Sequence, residues 1–85
     1  MQTAVVILNW NGKDFLRDFL PGVIAYTANE ARVIVADNAS TDDSVSYLKE
    51  HFPQVEIIIN DKNYGFAGGY NEVLKRVDDE YYVLL

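Results

Sequence analysis

Cysteine is absent from this 85-residue sequence, and proline (two) and glycine (five) are sparse. Without cysteine there is no disulfide, no thiolate nucleophile and no cysteine-based metal site, a pattern compatible with a reducing compartment. Sparse Pro and Gly beside 49% hydrophobic residues set the chain apart from disordered polypeptides. Basic side chains are also few, seven against thirteen acidic ones, for a net charge of −6. That field repels nucleic-acid backbones and anionic headgroups, so no nucleic-acid partner is expected, and an anionic ligand would need local help from helix N-termini or a cation. Long apolar runs are missing too. Ala4 to Leu8 covers about a quarter of the roughly 20 residues of a membrane span, with no basic segment before it, so it reads as neither span nor signal peptide. The single histidine, His51, falls at a helix end, where a solvated imidazole is the ordinary outcome.

What is present alternates. Ala4-Val5-Val6-Ile7-Leu8 is continuous and β-branched and reads as a strand buried on both faces. Phe15, Leu16, Phe19, Leu20, Val23 and Ile24 form a helical apolar stripe that Pro21 should kink or split. Arg32 to Ala36 is a second strand; a second helix follows, with Ser40 and Asp43 in capping-box spacing, Val45, Leu48 and Phe52 facing inward and Pro53 as its stop. Val55 to Ile59 is a third strand, Phe66, Tyr70, Val73, Leu74 and Val77 the stripe of a third helix, and Tyr81 to Leu85 opens a fourth strand. This βαβαβαβ order predicts an α/β fold, an open parallel sheet with helices on both faces and right-handed crossovers. Ligands bind such sheets beyond the carboxyl ends of the strands, so function belongs to three loops.

In the first loop, Asn9, Asn11 and Gly12 suit any turn, whereas Trp10 either plugs the core edge or offers a flat face to a planar ligand. In the second, Asp42 and Asp43 suit a helix start, but Asp37 directly follows the strand, where a carboxylate can accept hydrogen bonds from ribose or base. Asn38-Ala39-Ser40 also matches a glycosylation sequon, read as accidental. In the third, Gly65, Gly68 and Gly69 at a helix start either bring amides close to a phosphate or pack the helix on the sheet. Asn71 borders the expected buried face, where its amide needs partners.

Taken together and in this order, Asn9-Trp10-Asn11-Gly12, Asp37-Asn38-Ala39-Ser40-Thr41-Asp42 and Asn63-Tyr64-Gly65-Phe66-Ala67-Gly68-Gly69-Tyr70-Asn71 resemble family 2 glycosyltransferases, most closely their rhamnosyltransferase-like branch. The resemblance covers essentially the whole sequence. It implies the N-terminal, nucleotide-binding part of a GT-A fold with strand order 3-2-1-4, binding a UDP- or dTDP-linked sugar through Asn9, Trp10, Asn11, Asp37, Asn38, Asn63, Gly65, Phe66, Gly69 and Asn71. It further implies an inverting transfer to a saccharide or lipid-linked acceptor, in a bacterial, cytoplasmic enzyme of polysaccharide biosynthesis that can sit at the inner membrane face. A divalent cation, Mn or Mg, would be held by an acidic motif after the fourth strand. The sequence stops at that point, so neither metal ligands nor a catalytic residue is expected among these 85 residues, which are read as an inactive fragment. Lys13 and Lys62 could offset part of a diphosphate's charge.

Other readings stay open at this level. A dinucleotide-dependent oxidoreductase would use Asp37 but would need a GxGxxG that Asn9 to Asp14 does not contain; a receiver domain would need an acidic cluster after the first strand, which Asn9-Trp10-Asn11 does not supply. A non-catalytic nucleotide-binding or assembly module, self-associating through an exposed sheet, remains.

Overall fold

In the computed structural model, which describes residues 3–27, 30–77 and the backbone of 81–84, the chain alternates strand and helix throughout. The elements are β1 (Thr3–Asn9), α1 (Lys13–Thr27), β2 (Arg32–Asp37), α2 (Ser44–His51), β3 (Glu56–Ile59), α3 (Gly65–Leu74) and β4 (Tyr81–Leu84). The strands form one parallel sheet in the order β3-β2-β1-β4. Pairing of β1 with β2 runs from Ala4 opposite Arg32 to Asn9 opposite Asp37, so these two polar residues end adjacent strands side by side.

The apolar run of β1 is continuous because both its faces are covered. Val5 and Ile7 point to one side, where they meet Leu16 and Leu20 of α1 and Leu48 of α2; Ala4 and Val6 point to the other, against Tyr70 and Val73 of α3. Leu16, Leu20, Leu48 and Val73 are wholly buried, each worth roughly 1.5–3 kcal/mol of transfer free energy. α1 is narrower inward than its composition suggests: Phe15 and Phe19 stack on each other at 5.0 Å on the outer side instead of joining the core. The helix also runs through Pro21 without being split. Pro21 and Arg17 are both exposed, so water can satisfy the carbonyl that loses its amide partner.

β3 is an edge strand and starts at Glu56, one residue later than expected, because the Val55 amide closes the turn after α2 on the Phe52 carbonyl at 3.0 Å. Its isoleucines are only half covered, and Ile59 is exposed. The expected fourth strand is present over Tyr81–Leu84; its side chains and Leu85 lie outside the described residues.

Candidate functional site

The first two loops are tied together around one buried carboxylate. Asp37 is 1% exposed; its Oδ1 accepts from the Asn9 amide at 2.9 Å and the Ser40 hydroxyl at 2.7 Å, and its Oδ2 accepts from the Ser40 backbone N–H at 2.9 Å. Ser40 Oγ in turn accepts from Asn9 Nδ2 at 3.2 Å and from the Asn11 backbone N–H at 2.9 Å. Asn11 sits at φ +52, a left-handed conformation that asparagine tolerates, and this carries its side chain across to the second loop. There Oδ1 accepts from the backbone N–H groups of Thr41 and Asp42 at 2.7 and 3.1 Å, while Nδ2 donates to Thr41 Oγ1 at 3.2 Å. Asn9 Oδ1 accepts from the Gly12 N–H at 3.1 Å and so also fixes the entry to α1.

This arrangement revises the expected capping box. Ser40 is engaged with Asp37, Asp43 at the N-cap makes no side-chain cap, and Asp42 instead takes both the backbone N–H of Ser44, at 3.0 Å, and its hydroxyl. Burial would raise the Asp42 carboxyl, but the bonds from Ser44 outweigh it and hold its pKa below the ordinary carboxylate value.

Asn38 faces away from Asp37 and organises the third loop. Its Nδ2 donates to the Gly65 carbonyl at 2.9 Å and to Asn63 Oδ1 at 3.2 Å, while its Oδ1 accepts from Asn60 Nδ2 at 2.9 Å. Asn63 Oδ1 also accepts from the Gly65 N–H at 2.8 Å, and Gly65 sits at φ +77, where a side chain would be strained. Gly69 lies against the sheet: a Cβ there would stand 2.6 Å from Leu8 Cδ1 and 2.7 Å from Asn38 Nδ2. Of the two roles the sequence left to these glycines, close packing is the one that Gly69 performs.

The structure thus joins Asn9, Asn11 and Asp37 in one network, and Asn38, Asn63, Gly65 and Gly69 in a second. Trp10 and Phe66 stand clear of both as exposed aromatics, 55% and 73% accessible. Phe66 therefore leaves the expected buried stripe, and its ring instead meets Tyr70 edge-on at 5.2 Å. Asn71 is exposed as well, because the buried line of α3 runs through Gly69, Tyr70 and Val73 and turns it outward. Asn9 and Asn11 do not offer free amides to a ligand, since both are engaged with the second loop.

Two residues central to these networks escaped the reading from sequence. Ser40 has capping-box spacing with Asp43, although its place three residues after Asp37 also suits a turn closed by that carboxylate. Asn60 carries no motif of its own, yet it directly follows β3, and its backbone N–H donates to the Asp37 carbonyl at 2.8 Å, extending the sheet by one bond.

Lys13 is committed elsewhere: its Nζ lies 2.9 Å from Asp43 and 5.4 Å from the centre of the Tyr47 ring, and its bond to Asp43 raises its pKa. An open cleft of about 430 Å³ lined by residues 11–15, Asp42 and Asp43 flanks this pair. Asn11 is the one site candidate it touches, so it forms a shoulder of the site and not its centre. Among the described residues no cluster of His, Cys, Asp or Glu could hold a metal ion, so these residues do not fit a divalent cation.

The glycosyl transferase family 2 profile matches residues 4–85, nearly the entire chain. The chain belongs to glycosyl transferase family 2. An uncharacterized glycosyltransferase of Nostoc sp. is 30% identical over 74 residues, 84% of this chain and 23% of that protein. A mannosyltransferase from Pyrobaculum calidifontis, solved with GDP-Man and Mn2+, superposes with a TM-score of 0.71 at 22% identity, over 92% of this chain and 25% of the other. The fold is therefore that of a GT-A-like glycosyltransferase, and the chain spans about a quarter of the length of either relative.

Proposed function

We propose that this family 2 chain is the nucleotide-sugar-binding portion of an inverting glycosyltransferase of the rhamnosyltransferase-like branch. It would take a UDP- or dTDP-linked donor and serve transfer to a saccharide or lipid-linked hydroxyl in bacterial polysaccharide biosynthesis. The observation that carries this reading is Trp10: an exposed indole held between two anchored asparagines at the carboxyl edge of the sheet, the first of which bonds the buried Asp37. An aromatic on a rigid mount stacks on a planar base at little entropic cost. Asp37, buried and already accepting from three intramolecular donors, supports the platform through Asn9 and Ser40. The exposed Asn63 and the N-terminal turn of α3 flank the position for a diphosphate.

In the whole protein a base would deprotonate the acceptor hydroxyl, and the nucleotide diphosphate would leave with inversion. No described helix is long and apolar enough to cross a membrane; a cytoplasmic place at the inner membrane face is part of the proposal. Calorimetric titration with uridine, thymidine and guanosine diphosphates, with and without Mn2+, tests the reading. The expected result is binding that Trp10→Ala weakens by about tenfold, the scale of one lost base stack, with an unchanged unfolding curve. Failure of all three nucleotides to bind would reject the nucleotide site; binding indifferent to Trp10→Ala would reject the platform.

A further inference from the structure

Asn60 is 1% exposed and carries the one buried side-chain polar atom, among the described residues, that has no partner: its Oδ1. Its other end is fully engaged, Nδ2 donating to Asn38 Oδ1 at 2.9 Å and to the Gly69 carbonyl at 3.4 Å. The unanswered oxygen carries a desolvation cost that an apolar residue of similar size would avoid, so what Asn60 contributes here lies in its donor.

The direction of these bonds is fixed at both ends by backbone. The carbonyls of Gly65 and Gly69 can only accept, so Asn38 must turn its nitrogen to Gly65 and Asn60 its nitrogen to Gly69. Asn38 is then left presenting oxygen to the Asn60 nitrogen, and the two amides form a one-way relay from the end of β3 to the Asn63–Gly65 turn. We propose that Asn60 is a positioning residue for nucleotide binding, acting through Asn38 to hold the Asn63–Gly65 turn at the start of α3; this rests on the nucleotide-site reading above. Asn60 itself touches no ligand. Its donor, together with the Tyr64 backbone N–H at 3.5 Å, answers the Asn38 oxygen and so holds the amide in the sense that the Gly65 carbonyl requires; a reversed Asn38 would turn its oxygen toward the Gly65 carbonyl and Asn63 Oδ1, releasing the turn that faces the diphosphate.

Two substitutions separate this from a purely structural role. Asn60→Asp is nearly isosteric but turns acceptors toward Asn38, reversing the relay. Asn60→Leu removes the donor together with the unpaired oxygen. Both variants, made in the full chain, are examined by calorimetric titration with the nucleoside diphosphate that binds the unsubstituted protein, by thermal unfolding, and by the amide NMR shifts of Tyr64 and Gly65. The expected outcome for Asn60→Leu is a midpoint within about 5 °C of the parent and affinity weakened about tenfold, the scale of one hydrogen bond. In Asn60→Asp the Tyr64 and Gly65 signals should move as well. Asn38→Asp, which sets carboxylate oxygens against the Gly65 carbonyl and Asn63 Oδ1, should weaken binding at least as much as Asn60→Leu, because it removes the last donor of the relay. Unchanged affinity in folded Asn60→Leu overturns the proposal while leaving the nucleotide site standing. No nucleotide binding by the unsubstituted protein overturns both.

Discussion

Two buried polar networks stand back to back at the carboxyl edge of the sheet, divided by the peptide between Asp37 and Asn38. On one side a carboxylate gathers donors from Asn9 and Ser40, and every buried polar side-chain atom has a partner. On the other, neutral amides pass one donor direction from Asn60 through Asn38 to Gly65, and one oxygen goes unanswered. A carboxylate without a donor group can serve as a hub, because its oxygens accept from several partners at once; an amide must choose an orientation, and so can transmit one. The difference assigns the Asp37 side mainly to holding loops together and the Asn38 side mainly to setting the shape of a turn.

The sharpest way to break this contrast is at Asp37. Asp37→Ala takes the acceptor from both Ser40 donors and the shorter of two bonds from the Asn9 amide, and should lower stability by about 3 kcal/mol or more in urea denaturation. A loss well under 1 kcal/mol would show that the carboxylate is not the hub. Gly69→Ala addresses the opposite side and should cost about 2 kcal/mol, since a Cβ meets the Leu8 side chain and the pinned Asn38 amide. Leu8 can rotate away; Asn38 cannot without surrendering the Gly65 carbonyl. If Gly69→Ala is neutral, Asn38 is mobile and the relay loses its basis. The loop between the networks should respond in the other direction. Ala39 sits at φ +60, so Ala39→Gly should stabilise by about 0.5–1 kcal/mol, read from the denaturation midpoint at constant m-value.

The sequence was legible where a single pattern decides the outcome. Continuous β-branched runs identify the strands, and the carboxyl-edge rule points to the three loops that carry the polar networks. Pattern failed where a side chain had competing partners. Phe15 and Phe66 have helical spacing for burial, yet neighbouring Leu16 and Tyr70 occupy the inward positions and leave the rings outside. Ser40 and Asp43 match a capping box, but Asp37 lies close enough to claim the serine, and Asn11 supplies the loop's amide partner from 30 residues away in sequence. Asn60 was invisible for the same reason: nothing local distinguishes a loop asparagine from one that orients another amide across the sheet edge.

The smallest effect concerns the ion pair at the shoulder of the site. The bond between Lys13 and Asp43 holds the lysine above its ordinary value of 10.5 and the aspartate below its ordinary 3.8. The lysine's contribution is therefore complete below pH 10.5 and lost as pH rises through its higher folded value. The aspartate's is complete above pH 3.8 and lost as pH falls through its lower folded value. Because the pair is exposed, both limbs should be shallow and should flatten in about 1 M salt. Asp43→Asn should trim the acid limb of a stability–pH profile slightly and leave nucleotide affinity where it was. A steep loss at neutral pH would mean that this surface pair, and not the carboxylate hub at Asp37, holds the first two loops together. The division between a stabilising side and a shaping side would then have to be redrawn around Lys13.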